Sequence, residues 1–551
     1  MLPEKQRKRG IWVAFSVLVR AILDFAGVAA LIPVLLIVVN PNDGRSTLLA
    51  LCGTVLLFIV FKNGVIVFLA RFQSRYQLEI YREFSRRMFA NYYHRGLLYL
   101  KGKSSVRLGH EVNYVCYMFS SCVLAPVFRM SGDAVLVLLM VAALIIWEPL
   151  AGCLLSGVFF LLTGLYVGLV KKRLRRYGKE ELEARRKQSR TAVEAFRGYA
   201  ELEIAQAFHS SLASFDEGLD SIVCNRLRVE VYQLFPSFLS EAAMVGGLAL
   251  IVGTGTGNLG LTSGVFAIAA FRLIPAIRGI LNSWATLQNA SHTIAVVEEG
   301  VAVDSQQDTY IEPRPKMQSE FRLVFNRTLE LRELSFAFPD GYALFSGLNM
   351  MICRGERIGV RGASGSGKST LFNLMLGFFP PSTGEILIDG RKLTPANCSE
   401  WHKLVGYVPQ EIFIIEGTLA GNIALGQPDA DRVKVMHVLE QVQLKEWVDE
   451  LPRGLDTPLG EYGSRLSGGQ KQRIGIARAL YKEAEILFFD EATSALDNRT
   501  EQEINHTLQM LSFQHRELTI VVIAHRESSL AFCERILDLD TCSIVYNNNI
   551  R

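Results

Sequence analysis

The chain has 551 residues, a mass of 61.4 kDa and a mean hydropathy of +0.22, with half of its residues hydrophobic. That length admits about two or three domains, and the hydropathy is high for a soluble enzyme. The net charge of +4 is too small to argue for a nucleic-acid partner, and the nine cysteines show neither a C-x-x-C pair nor metal-ligand spacing.

The apolar excess lies before residue 300. A bilayer core of about 30 Å takes roughly 20 apolar residues as a helix. Six stretches qualify: Ile11–Val39, Leu48–Ala70, Val112–Trp147, Leu150–Val170, Val231–Val252 and Leu261–Val297. The third and sixth are longer than a span requires and are expected to continue into the cytosol. The basic start MLPEKQRKRG runs into the first apolar stretch, and further spans follow, so it reads as a first span and not as a cleaved signal.

Basic residues fix the expected orientation. Lys5, Arg7, Lys8 and Arg9 precede the first span. Arg71, Arg75, Arg82, Arg86, Arg87, Arg95, Lys101, Lys103 and Arg107 lie between the second and third, and Lys171, Lys172, Arg173, Arg175 and Arg176 follow the fourth. The alternate connections Asn40–Thr47, Glu148–Pro149 and Gly253–Gly260 carry one Arg between them. The pattern predicts six spans in the cytoplasmic membrane, with both termini in the cytosol. Ser74–Gly109 and Lys171–Arg228 read as helices that leave the membrane and fold back once, near Arg95–Ser104 and Gly198–His209. Those turns are where a membrane domain could touch a cytosolic motor.

Glu298–Ser319 loses apolar periodicity and holds Pro313 and Pro315, as a linker does. Beyond Phe321, short β-rich runs alternate with helical ones: Arg322–Phe336, Arg357–Arg361, Glu385–Asp389, Leu404–Val408, Ile486–Asp490 and Thr519–Ala524. They predict an α/β domain with a mostly parallel sheet. The expected plan is a multidomain membrane protein: a six-helix all-α transmembrane domain at 1–298 with two cytosolic coupling extensions, a linker at 299–320 and an α/β P-loop ATPase domain at 321–551. Cys353, Cys398, Cys533 and Cys542 fall in the half expected to face the cytosol, where thiols stay reduced.

The stretch GASGSGKST, Gly362–Thr370, fits G-x-x-x-x-G-K-[ST] between a short apolar run and a helical one. Gly362, Ser364, Gly365, Ser366 and Gly367 can turn backbone N–H groups onto phosphate oxygens. Lys368 adds a charge at the β/γ-phosphates, Ser369 offers its hydroxyl to Mg²⁺, and Thr370 closes the motif. In ILFFDE, an apolar strand ends in two carboxylates. Asp490 is placed to reach Mg²⁺, and Glu491 to orient or deprotonate the attacking water.

Leu466–Gln470 is LSGGQ, followed by helical KQRIGIARAL. With it the second half resembles the nucleotide-binding domain of ABC transporters, over about 220 residues. Ser467, Gly468, Gly469 and Gln470 would form a second anion site at a helix N-terminus. The resemblance implies that two such domains pack head to tail, each offering LSGGQ to the ATP held by the other. It also implies that Gln410 in YVPQ is the Q-loop residue, acting at Mg²⁺ and in catalysis. Ser494–Asp497 would be the D-loop, with Asp497 at the nucleotide, and His525 in IAHR the switch histidine at the γ-phosphate. Phe338 in SFAFPD stands where the family commonly stacks a Tyr on adenine; a ring face is all that stacking needs.

Six spans before one motor resemble an exporter-type (type IV) half-transporter, which implies a second half-transporter as partner. The intact hydrolytic positions suit a homodimer. The resemblance also implies that the fourth and fifth spans cross to the other subunit. Charges inside the spans point to the cargo, because each is costly at mid-membrane. Arg20 with Asp24, and Arg129 with Asp133, are spaced to pair on one helix face. Lys62, Glu241, Arg272 and Arg278 have no such local partner and form the candidate substrate set. Their positive excess favours an anionic group; Arg272 and Arg278 do not share a helix face, and Glu241 is a candidate partner for one of them.

The wording LDFAGVAALIPVLL and FRLIPAIRGI is similar to bacterial flippases of lipid-linked oligosaccharides, implying a polyprenyl-pyrophosphate-linked glycan or related lipid as cargo. Two departures stand against it. Asn40–Thr47 is too short for the extra external helix of those flippases, and Ser237 and Phe238 stand where a positive residue would strengthen the match. A peptide or drug exporter, and an ATPase regulating a membrane partner without moving solute, are the competing readings.

Overall fold

The computed structural model describes residues 4–34, 45–147, 149–254, 259–302, 323–338, 341–490, 498–524 and 526–546. The chain separates into two compact units, Met1–Arg314 and Pro315–Arg551. All nine cysteines are free thiols.

The first unit is helical throughout its described residues. Helix α1 spans Glu4–Ala29, α2 Arg45–His94, the short α3 Gly96–Lys101, and α4 Ser105–Trp147. Helix α5 spans Pro149–Arg197, the short α6 Tyr199–Ile204, α7 Phe208–Thr254, α8 Leu259–Asn289 and α9 His292–Val301. Among the described residues, α1, α2 and α4 carry apolar windows long enough to cross a bilayer. The predicted fold-back points hold α3 and α6, so the chain reverses through a one-turn helix at each tip. Apolar side chains are exposed around the second tip, including Phe196, Tyr199 and Ile204. The sixth apolar stretch is not one helix: it breaks at Ala290–Ser291, and α9 extends past the predicted boundary at 298.

One membrane-unit core joins α1, α4, α5, α7 and α8 through Ala21, Leu136, Val137, Leu174, Val229 and Leu281. A second joins α2, α4 and α9 through Ile80, Met88, Val115 and Val297. Gly178 on α5 lies against the carbonyl of Asn289, so close that a Cβ there would collide with it. Pro236 lies inside α7 and removes one N–H from its ladder. The orphaned acceptor is the carbonyl of Tyr232, and the Tyr166 hydroxyl from α5 donates to it at 2.9 Å.

The second unit has two sheets, not one. Strands β1 (Thr328–Ala337), β2 (Ala343–Cys353), β4 (Thr383–Ile388) and β5 (Arg391–Lys392) form an antiparallel sheet in the order β2-β1-β4-β5. Strands β3 (Arg357–Arg361), β6 (Val405–Val408), β7 (Ile486–Asp490), β8 (Thr519–Ile523), β9 (Arg535–Asp538) and β10 (Ser543–Tyr546) form the other, in the order β10-β9-β3-β8-β7-β6. All its pairs are parallel except β9–β10. The predicted single sheet is therefore corrected: the runs at 322–336 and 385–389 belong to a separate antiparallel layer. Strands β3, β7 and β8 are buried on both faces and read as continuous apolar runs, whereas β2 alternates.

The helices of this unit are α10 (Lys368–Met375), α11 (Cys398–Leu404), α12 (Leu419–Ile423), α13 (Arg432–Gln441), α14 (Lys445–Asp449), α15 (Gly468–Tyr481), α16 (Asn498–Gln514) and α17 (Glu527–Leu530). In a parallel sheet, ligands bind beyond the carboxyl ends of the strands. The ends of β3 and β7 lead to Gly362 and Asp490, on strands that both pair with β8.

Candidate functional site

The loop from β3 to α10 is held open by backbone geometry. Gly365 and Gly367 have φ of +88° and +94°, values that L side chains resist. Asp540 accepts the amide of Ala363 at 2.9 Å and pins the loop's first turn. Lys368 is buried, and its ammonium donates to the carbonyls of Gly362 and Ala363 at 3.1 and 3.0 Å, crossing the mouth of the loop. The Ser366 hydroxyl is buried without a hydrogen-bond partner among the described residues. Ser369 donates to Asp490 Oδ1 at 3.0 Å. A cradle of amides, a central ammonium, an orphaned hydroxyl and a Ser–Asp pair fit a Mg²⁺-nucleotide. Ser369 and Asp490 are the residues that would hold the metal.

Phe338 follows β1, where its ring meets Phe336 edge-on at 5.1 Å; Phe336 in turn stacks on Phe379. Gln410 follows β6 and is exposed. Tyr407, three residues earlier, points its hydroxyl at Asp490 Oδ2 from 3.5 Å. Burial and the Asp490 carboxylate push the Tyr407 hydroxyl's pKa upward, so it stays a donor. Sequence reasoning passed over Tyr407, because a tyrosine in a strand carries no signal until its neighbour strand is known. Glu491, Asp497 and His525 lie outside the described residues.

The LSGGQ stretch opens α15. Ser467 Oγ accepts the amide of Gln470 at 3.2 Å, and Gln470 Oε1 accepts the amide of Ser467 at 2.9 Å. This reciprocal cap leaves the first amides of the helix, at Gly468 and Gly469, without intrahelical partners, and leaves the serine proton free to donate. The Gln470 side chain is thus spent on its own helix end, and the Ser467 hydroxyl and the two glycine amides are the groups that could meet an anion there. Gly469 also packs against Thr500 of α16, where a Cβ would clash.

In the membrane unit the charges pair differently from their spacing. Asp24 is not reserved for Arg20, whose Nε is 4.0 Å away. It accepts from Lys62 of α2 at 3.1 Å and from Arg272 of α8. Lys62 is only 5% exposed, and its stem lies across Gly27 of α1. Asp133 does not pair with Arg129 in the described ion pairs; its carboxylate lies against Gly279 of α8, where no side chain would fit. Arg278 meets Glu241 at 3.8 Å, with both side chains well exposed. Lys62, Arg272, Arg278 and Glu241, which lack a partner at helical spacing on their own helices, are thus paired across helices, and the Arg278–Glu241 contact is of the kind the sequence allowed for. Spacing along one helix cannot reveal such partners. Arg20, Lys62 and Arg272 gather around Asp24, and Asp133 lies near enough to interact with Arg20, Asp24 and Arg272, so three cations meet two carboxylates and positive charge stays in excess.

A further buried carboxylate carries no signal in the sequence. Glu111 of α4 sits in a π-turn, 4% exposed, and accepts from Tyr92 at 2.8 Å, Arg107 at 2.8 Å and Arg186 at 3.0 Å. Nearby, Asn91 donates to the carbonyls of Gly300 and Val301, and Arg95 to that of Glu299. The last turn of α9 is thereby fastened to the end of α2, beside α3.

Comparison with known proteins agrees with this geometry. The profile of the family described as ABC transporter matches residues 345–494. An ATP-dependent lipid A-core flippase of Ralstonia nicotianae is 41% identical over 221 residues, which span 39% of this chain and 37% of that protein. One of the same name from Francisella tularensis subsp. holarctica is 30% identical over 456 residues, covering 81% of this chain and 72% of the relative. The solved structure of a bacterial Atm1-family ABC exporter with ATP bound superposes with a TM-score of 0.77 at 23% identity, covering 97% of this chain and 94% of the other. By these matches and its own phosphate loop, the chain belongs to the ABC transporter family, as an exporter-type half-transporter that carries its helical membrane region and its Mg²⁺-ATP-hydrolysing domain on one polypeptide.

Proposed function

We propose that the chain pairs with a second copy and uses ATP hydrolysis to export or flip an amphipathic, anionic lipid or lipid-linked oligosaccharide across the cytoplasmic membrane, with the ATPase domain in the cytosol. The observation that carries the cargo reading is the Asp24 cluster. Lys62, Arg20 and Arg272, from three apolar helices, converge on Asp24 with Asp133 nearby, and retain positive excess. Inside a membrane such an excess is tolerable when an anion completes it. Two relatives named lipid A-core flippases support a lipid cargo.

The motor parts take these roles. Residues 362–370 cradle the phosphates, with Lys368 at the β/γ-phosphates. Ser369, Asp490 and Gln410 serve Mg²⁺, and Phe338 stacks on adenine. Glu491 activates water, and His525 and Asp497 meet the γ-phosphate region. Ser467, Gly468 and Gly469 cap the γ-phosphate of the partner's nucleotide, so ATP binding closes the dimer. Helices α3 and α6 deliver that closure to the membrane region, within a membrane domain at 1–298, a linker at 299–320 and a motor at 321–551.

The test is reconstitution into liposomes containing a labelled polyprenyl-pyrophosphate-linked glycan, a labelled anionic lipid and a neutral lipid of matched chain length. ATP-dependent change of leaflet for an anionic species, lost in Lys62→Met and Arg272→Met, supports the reading. ATP turnover with every lipid left in its own leaflet refutes it.

A further inference from the structure

Helix α15 does more than present LSGGQ. Its buried face grips the whole segment around Gln410 over three successive turns. Gln472 Nε2 donates to the Gln410 carbonyl at 3.0 Å, with the Gln472 side chain 7% exposed. One turn on, Gly475 lies against Val408 and Ile412, the residues two before and two after Gln410; a Cβ at Gly475 would fall 2.6 Å from the Ile412 Cδ1. A further turn on, the Arg478 guanidinium donates to the Phe413 carbonyl and to the Asn422 carbonyl at 2.6 Å each, and to Asn422 Oδ1 at 2.8 Å. Asn422 in turn brackets Ile415 through its amide and carbonyl, at 3.0 and 2.9 Å. Positions 472, 475 and 478 are three apart and share one helix face.

We infer that Gln472 is a positioning residue that makes the Q-loop and the LSGGQ motif of one subunit move as a single body, and so couples the two ATP sites of the dimer. The inference rests on the proposed head-to-tail dimer. Gln410 senses the nucleotide of its own subunit, while Ser467–Gly469 meet that of the partner. A displacement of Gln410 toward its own Mg²⁺ pulls on the Gln472 amide through one short bond. Because α15 is continuous from Gly468 to Tyr481, the pull reaches its N-terminus, one turn away. Among the described residues, the hydrogen bond that anchors the Gln472 side chain is the one to Gln410.

The experiment uses the full chain in lipid nanodiscs. ATP dependence of hydrolysis is measured for the parent, Gln472→Leu and Gly475→Ala, with equilibrium binding of a fluorescent ATP analogue and thermal unfolding alongside. Leu keeps the volume of Gln472 and removes the donor. Ala at 475 favours the helix but displaces Ile412, so it perturbs the same joint with Gln472 intact. The expected result is a Hill coefficient falling from near two toward one and a kcat lowered about tenfold in both variants. Analogue affinity should stay within about twofold and unfolding should be unchanged. Variants with the parent's Hill coefficient and kcat overturn the inference. So does a loss that appears equally in analogue affinity, since that marks a general defect of the fold. A parent with no cooperativity at all overturns the dimer reading itself, and is distinguishable because it appears before any substitution is made.

Discussion

The Tyr166 hydroxyl donates to the carbonyl of Tyr232 across 2.9 Å, taking the place of the N–H that Pro236 lacks. A proline inside a membrane helix leaves the carbonyl four residues back without a donor, and water is not at hand to supply one. Helix α5 thus repairs α7 and ties the turn before Pro236 to its neighbour. Tyr166→Phe is expected to lower stability by about 1 kcal/mol, read as the midpoint of thermal inactivation in nanodiscs. In a Pro236→Ala background the helix repairs itself, and the same substitution should then cost almost nothing. Additive effects in the double variant would show that the two residues are not coupled.

Asp24 carries more of the membrane unit than its neighbours. Asp24→Asn leaves Lys62 and Arg272 together without their shared counter-charge, and should destabilise by about 3 kcal/mol. Arg278→Ala breaks a 3.8 Å pair between exposed side chains and should cost under about 1 kcal/mol. Gly279→Ala sets a methyl against the Asp133 carboxylate and should lower the yield of folded protein. Denaturation midpoints in detergent, compared across the three, check the order.

Metal dependence separates the roles at the phosphate loop. Ser369→Ala and Asp490→Asn should leave ATP binding in EDTA near the parent's value and abolish the gain in affinity that Mg²⁺ brings. Glu491→Gln should keep that gain and lower steady-state hydrolysis by more than about 100-fold, holding the closed dimer. Nucleotide titrations with and without Mg²⁺, beside turnover, read both effects.

Asp389 links acid stability to the antiparallel sheet. It and Gly390 form the two-residue turn between β4 and β5, with φ of +48° and +77°. Its carboxylate accepts the amides of Asn326, Arg327 and Thr328 at 2.6, 2.8 and 2.8 Å. Burial pushes its pKa up, but the three amide donors outweigh burial and leave it below the ordinary carboxylate range. A carboxyl lowered in the folded state adds stability that is complete above its unfolded pKa of about 4 and is lost as pH falls below that value. Asp389→Ala should cost about 2 kcal/mol at neutral pH, and the gap to the parent should close below about pH 4. Asp389→Asn, which keeps the turn preference and one acceptor, should cost less. Unfolding midpoints across pH 3 to 7 test both.

The motor was legible where chemistry is written in consecutive residues. Gly362–Thr370, Ile486–Asp490 and Leu466–Gln470 each carry their local signal within one short run, so the sequence alone placed loop, strand and helix. What it could not hold is any relation between residues that only folding brings together. The β1 and β4 runs look like members of the main sheet, and only pairing assigns them to a second layer. Lys62 and Arg272 look unpaired because Asp24 lies on a third helix. The Gln472 amide reaches Gln410 only because Gly475 lets α15 press against Val408 and Ile412. Local rules of spacing and capping determine which parts are present. Long-range packing, which depends on where a glycine leaves room for another element to approach, decides which of those parts touch.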